Sequence, residues 1–237
     1  MRLYGKNPVL ERIKARPDSI KTLYLQKRTD LSEIVKAAKG AGLTFESVDK
    51  AWFMSECGDL NTQGVLAVIE EFEYASFEDV IIDCKNSSVI PVFLDGITDP
   101  QNLGAIIRNL ACLGGFSLVL PEHRSAKVNE TVLRIASGGE NYIKIASVTN
   151  LATALKQISK EGINIAGAVV QDSVDITKAE LSGPMALIIG SEGKGIRPGV
   201  KKTIDIELSL PMKGAPLSYN AAVAASLFCY EINRRRW

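Results

Sequence analysis

Residues 89–121 decide the fold, and they have the sequence VIPVFLDGITDPQNLGAIIRNLACLGGFSLVLP. The stretch begins with a continuous apolar run, Val89–Leu94, and closes with a second one, Phe116–Leu120. Between the two runs, residues 101–113 have the apolar spacing of a helix, which starts after an Asp-Pro turn. A strand, a helix and another strand in this order form the repeating unit of a parallel sheet. We therefore predict an α/β fold.

The same alternation continues toward the C-terminus. Apolar runs follow at Ile163–Val170 and Met185–Ile189, and helical patterns occupy residues 129–137 and 150–161. An alanine-rich helix is predicted over Asn220–Arg235. Strands that are buried on both faces are typically continuous apolar runs, so these segments predict a parallel sheet covered by helices on both faces.

The first third of the chain predicts a separate, smaller α/β unit. Its strands are rich in β-branched residues, and its helices are bounded by proline, glycine and a capping-box-like pattern at Asp30–Glu33. The acidic and aromatic stretch that follows has no dense apolar run, and it indicates a bridge between two domains. We predict an N-terminal domain over residues 1–75, a linker over 76–88 and a second domain over 89–237. The elements predicted in the first domain are helices over Asn7–Arg16 and from Asp30 to Gly40, and strands over Ile20–Leu25, Leu43–Val48 and Gly64–Glu70.

Composition limits the functional classes only weakly. The 237 residues carry a formal net charge of +1, with 46% hydrophobic and 23% charged residues, which is an ordinary globular balance. Bulk charge therefore does not predict nucleic-acid binding, which would depend on local patches. Two basic groups are candidates, but a solvated face or a helix end explains them equally well. These groups are Lys21 with Lys27 and Arg28, and the run Arg234-Arg235-Arg236.

The four cysteines are scattered, without a C-x-x-C pair. This argues against a zinc site or a disulfide framework and favours the reduced thiols of a cytoplasmic protein. No apolar run approaches the ~18 residues of a membrane span. The first residues lack the apolar region of a secretory signal, so we expect a cytoplasmic location.

Three loops follow predicted strands, the position at which open α/β sheets bind ligands. The first carries Asn102 and Arg108 at the start of a helix, and the second carries Glu192 among glycines. The third, residues 208–220, has two prolines and a glycine before a helix, with Ser218 and Asn220 suited to its N-cap region. Each loop alone is also explained as a capped or tight strand-to-helix turn. The glycine loop fits neither a Walker A motif nor a dinucleotide fingerprint, which argues against nucleotide phosphohydrolysis.

Taken together, the three loops resemble the signature motifs of the SpoU/TrmH family of SPOUT-class RNA methyltransferases. Order and approximate spacing agree from about Val89 to the C-terminus. Two departures are Tyr219, where the family usually has leucine, and Asn109, where a small residue is usual. The matching residues are Asn102, Gly104 and Arg108 in motif one, Gly190, Glu192 and Gly195 in motif two, and Pro211, Met212, Gly214, Ser218 and Asn220 in motif three.

The resemblance implies transfer of a methyl group from S-adenosylmethionine to a ribose 2′-hydroxyl of RNA, without a metal. It also implies a deep trefoil knot in the C-terminal domain and a homodimer formed through that domain. The segments Tyr4–Val9 and Asn61–Ala67 resemble the ends of an L30e-like RNA-binding domain found in ribosomal-RNA members. The residues implied for catalysis are Arg108, Asn102, Glu192, Ser218 and Asn220, and those implied for cofactor binding are Gly190, Leu210, Tyr219, Leu187, Met212 and Gly214.

The resemblance favours large-subunit ribosomal RNA as the substrate, because the simplest transfer-RNA members of the family lack such an N-terminal domain. A transfer-RNA methyltransferase and a resistance-type ribosomal methyltransferase remain alternatives. An alternative of another class is a catalytically silent RNA-binding protein of ribosome assembly. The intact Asn102, Arg108, Glu192 and Asn220 argue against that last alternative.

Overall fold

The computed structural model describes residues 1–170, 173–214 and 217–235, and it contains two sheets. The first sheet has the strand order β1-β4-β2-β3; β4 is antiparallel to β1 and β2, and β3 is parallel to β2. Three helices accompany this sheet. Its elements are β1 (Arg2–Tyr4), α1 (Lys6–Ala15), β2 (Ile20–Gln26), α2 (Ser32–Gly40), β3 (Glu46–Val48), α3 (Lys50–Cys57) and β4 (Val65–Ile69).

The second sheet has seven strands in the order β7-β6-β5-β10-β8-β11-β9, and every pairing within it is parallel. The predicted α/β fold with a parallel sheet is therefore confirmed. Its elements are α4 (Phe77–Ser87), β5 (Ile90–Asp95), α5 (Pro100–Leu113), β6 (Phe116–Pro121), α6 (Glu130–Ala136), β7 (Ile145–Val148), α7 (Leu151–Lys160), β8 (Asn164–Ala168), β9 (Val174–Asp175), β10 (Met185–Gly190), α8 (Pro198–Lys201), β11 (Ile206–Ser209) and α9 (Ala221–Arg234).

The structure has elements that the sequence patterns missed. The bridge predicted over 76–88 contains α4, whose Ser76 side chain accepts a hydrogen bond from Asp79 N at 3.1 Å. Its buried residues, Phe77, Val80, Ile81 and Cys84, have the spacing of a helix face, and they pack against the second sheet. Strands β1, β7 and β11 have only three or four residues, too few for a periodic signal. Helix α3 was also missed.

The capping box predicted at the start of α2 does not form, and the helix starts one position later than predicted. The helix has Leu31 as its N-cap and makes no side-chain capping bond there. Asp30 instead accepts a hydrogen bond from Ser32 N at 3.2 Å, as in an Asx turn. The predicted helix itself is present.

One continuous apolar cluster joins the two sheets, because α1 packs against α6 as well as against its own sheet. An ion pair crosses the same boundary: Arg12 Nη2 of α1 lies 3.0 Å from Glu140 Oε1 in the 3-10 turn Gly139–Asn141. The two side chains are 5% and 0% exposed. At the rim, Arg2 pairs with Glu130 at 3.3 Å. The first sheet and its helices are thus held against the second sheet and its helices by core packing and by a buried charge pair.

The carboxyl ends of the parallel strands bring distant loops to one edge of the second sheet. Strand β5 ends at Asp95, and its neighbour β10 ends in register at Gly190. Strand β11 ends at Ser209, just before the proline-rich loop. The three loops singled out from the sequence therefore emerge at the same edge, as expected for a parallel sheet.

Candidate active site

Three polar side chains from the three loops form one hydrogen-bonded cluster. Glu192 Oε1 accepts hydrogen bonds from Asn102 Nδ2 at 3.1 Å, from Asn220 Nδ2 at 2.6 Å and from Ala221 N at 3.2 Å. Asn220 Nδ2 also donates to Asn102 Oδ1 at 2.9 Å. Bonds to a carboxylate are stronger than bonds between neutral groups, so Glu192 holds both amides in fixed orientations.

The helix starts explain how these side chains are positioned. Asp99 caps α5 by accepting from Gln101 N at 2.9 Å, which leaves the amide of Asn102 in the first turn available for Glu192. Asn102 is therefore not the local cap that the turn alone would have allowed. Asn220 is the N-cap of α9, where its Oδ1 accepts from Ala222 N at 2.9 Å and Val223 N at 3.3 Å. A carboxylate at this helix start is also favoured by the helix dipole.

A cavity of about 230 Å³ lies beside the cluster, between the ends of β8 and β10 and the start of α9. Its wall is mostly apolar. The glycines of the second loop contribute backbone atoms to this wall and no side chains. The lining residues are Ala168, Val169, Val170, Ile189, Gly190, Ser191, Glu192, Gly193, Gly195, Leu210, Met212, Ser218, Tyr219, Ala221, Ala224 and Phe228.

Gly190 is required by the close approach of two backbones. A β-carbon at this position would overlap the carbonyl carbon of Gly195 and would lie 2.5 Å from the nitrogen of Ile196. Ser191 and Gly195 are bridged, with hydrogen bonds of 3.2 and 2.9 Å between their backbones. The loop that carries Glu192 is therefore folded back tightly onto the end of β10.

Most of the residues implied for cofactor binding lie around this cavity, but two do not. Gly190, Leu210, Met212 and Tyr219 line it, together with Ser218 from the catalytic set. Leu187 is fully buried in β10 and does not line the cavity. Gly214 is exposed and is also absent from the lining. Tyr219, the residue that departs from the family pattern, is 44% exposed and lines the wall of the cavity.

Arg108 is not brought into the cluster. Its side chain is exposed on α5, does not line the cavity, and makes no hydrogen bond or ion pair with any residue in the described part of the chain. Its backbone lies under the 3-10 turn, where a β-carbon on Gly139 would be 3.0 Å from Arg108 Cα. The next residue, Asn109, donates from Nδ2 to Ser226 Oγ of α9 at 2.7 Å.

The glycine of motif one has a packing function. A β-carbon on Gly104 would lie 2.7 Å from Ile135 Cβ and 2.9 Å from the carbonyl oxygen of Val132. This glycine therefore allows α5 and α6 to approach closely. It affects the site indirectly, through the position of the helix that carries Asn102.

Sequence reasoning missed an ion pair at the same edge of the sheet. Arg197 Nε donates to Asp95 Oδ1 at 2.6 Å, and Arg197 N donates to Asp95 Oδ2 at 2.7 Å. It also missed Val169, Ile189 and Phe228 as walls of the cavity. No sequence signal could have paired Asp95 with Arg197, since they are 102 residues apart and neither belongs to a motif position.

Within the described residues, no group of three or more histidine, cysteine or acidic side chains is arranged to hold a metal ion. In the same part of the chain, every helix is too short or too polar to cross a membrane. His123, the single histidine of the sequence, is exposed in the loop after β6.

Comparison with known proteins assigns the family. Residues 89–230 match the model of the SpoU rRNA Methylase family, and residues 2–75 match the model named RNA 2'-O ribose methyltransferase substrate binding. The 23S rRNA (guanosine-2'-O-)-methyltransferase RlmB of Ralstonia nicotianae is 32% identical, over 99% of this chain and 95% of the relative. The chain therefore belongs to the SpoU rRNA methylase family, which confirms the resemblance drawn from the three motifs.

Solved structures share the fold. The SpoU methyltransferase AviRb from Streptomyces viridochromogenes, solved in complex with the cofactor AdoMet, has a TM-score of 0.83. It is 22% identical, and the match covers 100% of this chain and 90% of AviRb. The A. aeolicus TrmH/SpoU tRNA modifying enzyme has a TM-score of 0.56 at 25% identity. The match covers 68% of this chain and 84% of that enzyme's chain.

Proposed function

We propose that this protein transfers a methyl group from S-adenosylmethionine to a ribose 2′-hydroxyl of large-subunit ribosomal RNA. The single observation that carries the proposal is the hydrogen-bonded cluster of Asn102, Glu192 and Asn220 beside an apolar cavity at the carboxyl edge of the sheet. Family membership and the RlmB relative support the chemistry and the choice of RNA.

The cavity fits the proposed methyl donor. Its volume of about 230 Å³ is somewhat below the ~300–1,000 Å³ range of small-molecule pockets, so its fit to the donor depends on the lining residues. Ile189, Leu210 and Phe228 offer apolar contacts to a purine ring. The missing side chain at Gly190 lets the backbone of Gly195 and Ile196 close tightly onto the end of β10, and this closure shapes the wall of the cavity. When bound, S-adenosylmethionine would supply an electrophilic methyl group on a sulfonium.

The residues of the chain would act on the acceptor, because a ribose hydroxyl is a poor nucleophile. As the methyl–sulfur bond breaks and the 2′-hydroxyl loses its proton to solvent water, Arg108 would stabilise the negative charge that develops on the 2′-oxygen, a role suited to a side chain that stays protonated. Asn102 and Asn220 would position the ribose, and Glu192 would hold these two amides rather than Arg108. Holding the donor and the acceptor in line would supply much of the rate acceleration.

A homodimer would explain why Arg108 lies outside the cluster. Val223, Leu227 and Tyr230 share one face of α9 and are 46%, 38% and 49% exposed. An exposed apolar stripe of this kind is typical of an interface. The stripe flanks Ser226, which accepts a hydrogen bond from Asn109, the residue after Arg108. We infer that two copies pair along this face, with Arg108 acting close to the interface.

The finer features of the fold belong to the same proposal. We infer a trefoil knot in the C-terminal domain, supported by the insertion of the late strand β10 between β5 and β8 and by α9 packing against α5. We infer an L30e-like N-terminal domain over residues 1–75, supported by its four-stranded mixed sheet, its three helices and its match to a substrate-binding model. An rRNA substrate would place the protein in the cytoplasm.

Transfer RNA is the second candidate substrate, and the comparisons favour it less. The A. aeolicus tRNA modifying enzyme aligns with only 68% of this chain, whereas RlmB aligns with 99%. Residues 2–75 of this chain, which match a substrate-binding model, account for that difference in aligned length. We therefore retain ribosomal RNA as the proposed substrate.

The test is methyl transfer from labelled S-adenosylmethionine to total RNA that lacks the modification. The wild type is expected to label large-subunit rRNA, with the label recovered in an alkali-resistant 2′-O-methyl dinucleotide. Arg108→Ala is expected to lower kcat by about 10²–10³-fold, the usual effect of removing one electrostatic stabiliser. Cofactor affinity should stay unchanged, because Arg108 does not line the cavity.

The matched control is Lys156→Ala, which removes an exposed positive charge from α7 and should leave transfer unchanged. Label in transfer RNA alone would assign the second candidate substrate. Neither transfer nor cofactor binding by the wild type would support the silent RNA-binding alternative and would contradict the proposal.

A further inference from the structure

A second cavity lies at the carboxyl edge of the parallel sheet, and its lining shares no residue with that of the first. Its volume is about 550 Å³, and it lies between the loop after β6, the loop before α7 and the start of α8. Arg124 and Arg197 line it from two of these segments. Among the described residues that form its wall, none is acidic.

Arg197 is fixed in orientation by hydrogen bonds to Asp95. Its Nε and its backbone nitrogen both bind Asp95, whose side chain is fully buried, while the Arg197 side chain is 43% exposed. A guanidinium has five N–H donors. Of these, only the Nε–H bonds Asp95, and the two terminal nitrogens make no hydrogen bond within the described part of the chain. Asp95 thus fixes the orientation of a cation whose outer edge is available to a ligand.

Arg124 approaches the cavity from a separate loop. Its φ of +59° is in the left-handed region, which non-glycine residues seldom adopt. The following residues tie this loop to the first motif: Ala126 N donates to the carbonyl of Ile97 at 2.8 Å, and Ser125 Oγ donates to the same carbonyl at 3.2 Å. Arg124 is exposed and has no hydrogen bond or ion pair with the residues described.

The surroundings of the cavity favour an anion. The carboxylate of Asp95 is paired with Arg197, and Glu122, which accepts a hydrogen bond from Thr149 Oγ1 at 3.2 Å, does not line the cavity. The first turn of α7 also lines the cavity and is a favourable place for negative charge. Two guanidinium groups that face one space match the geometry of a phosphate group, which arginine binds in a bidentate manner.

We propose that this second cavity binds a phosphodiester group of the RNA substrate, close to the nucleotide that is methylated. The inference rests on the proposed function. Arg197 lies five residues after Glu192, and the Arg124 loop is bonded to Ile97, between Asp95 and the helix that carries Asn102. A phosphate held here would fix the register of the RNA strand at the site, because backbone contacts position a nucleic acid without reading its sequence.

The experiment measures binding of an unmodified 23S rRNA transcript over a series of KCl concentrations. Each phosphate contact contributes about 0.7–0.9 to the slope of log K against log salt concentration. Arg124→Ala is therefore expected to reduce the slope by about one contact and to weaken binding. Lys156→Ala, which removes an exposed charge outside the cavity, is expected to leave the slope unchanged.

Two further measurements separate the outcomes. Arg124→Lys should retain the slope, because it keeps the charge, while it loses part of the affinity. Cofactor binding should be equal in all variants, which excludes misfolding. Identical slopes for the wild type and Arg124→Ala, with methyl transfer intact, would overturn the phosphate site and leave the proposed function standing. Absence of RNA binding by the wild type at every salt concentration would overturn both.

Discussion

At the residue scale, the site depends on one carboxylate oxygen, that of Glu192, and on the absence of a side chain at Gly190. Glu192 Oε1 receives three donors, two from side-chain amides and one from the start of α9. Gly190 has no room for a β-carbon because the backbone of Gly195 lies directly over it. These two residues come from one loop, so its conformation decides both the polar cluster and the wall of the cavity.

Gly190→Ala is expected to abolish cofactor binding. The added methyl group would push Gly195 away and move Glu192 from its partners, and overpacking of this kind costs about 1–3 kcal/mol of stability. Calorimetric titration with S-adenosylmethionine and thermal unfolding would measure the two effects. Gly40→Ala is the control, because a β-carbon there meets nothing within 4 Å. Normal cofactor affinity in Gly190→Ala would contradict the assignment of the cavity.

At the element scale, the ion pair between α1 and the 3-10 turn joins the two domains beneath α5. Burial raises the pKa of Glu140 and lowers the pKa of Arg12, and in each case the mutual attraction opposes the effect of burial. Arg12 Nε and Glu140 Oε2 are buried without a hydrogen-bond partner in the described structure. The same turn packs against Arg108 Cα, so this pair links the position of the N-terminal domain to that of the proposed catalytic arginine.

Glu140→Ala is expected to destabilise the protein by about 3–5 kcal/mol, because it leaves the charge of Arg12 buried and unpaired. The double variant Arg12→Met with Glu140→Leu should recover most of this loss, since it removes both desolvation costs. Denaturant unfolding measures the difference. If the single and double variants lose equal stability, the cost arises from the shape of the turn rather than from the unpaired charge.

At the scale of the whole molecule, the proposed homodimer would complete the site by pairing two copies. The cluster and the cavity lie within one chain, whereas Arg108 and the apolar face of α9 are exposed beside them. Most soluble oligomers are symmetric dimers, in which one patch pairs with itself. Such pairing would cover the stripe on α9 and supply a nearby cation to the acceptor ribose.

Leu227→Asp is expected to convert the dimer into a monomer and to reduce methyl transfer in parallel. The charge would be buried in an apolar interface without a partner, at a cost that a marginal dimer does not tolerate. Light scattering after size-exclusion chromatography measures the mass. Ile82→Asp is the matched control, because Ile82 is 52% exposed on α4, outside the α9 face. A wild-type protein that is monomeric at working concentration, yet active, would contradict the proposal.

The sequence by itself determined the family, the parallel sheet and the identity of the polar residues that cluster. Long apolar strands and capped helices follow from local spacing, so most strands and helices of the second domain were predicted near their observed positions. The short strands β1, β7 and β11 were not, because three or four residues carry no periodic signal. Arg236, part of the terminal basic run, lies outside the described residues.

Only the tertiary structure decided which of these residues meet. Asn102, Glu192 and Asn220 converge because parallel strands end at one edge, and their separations of 90 and 118 residues along the chain give no local sign of contact. The partners of Glu192 proved to be the amides of Asn102 and Asn220, and Leu187 and Gly214 proved to lie away from the cavity wall. The Asp95–Arg197 pair and the second cavity likewise depend on packing between distant segments, which no pattern within a single segment can specify.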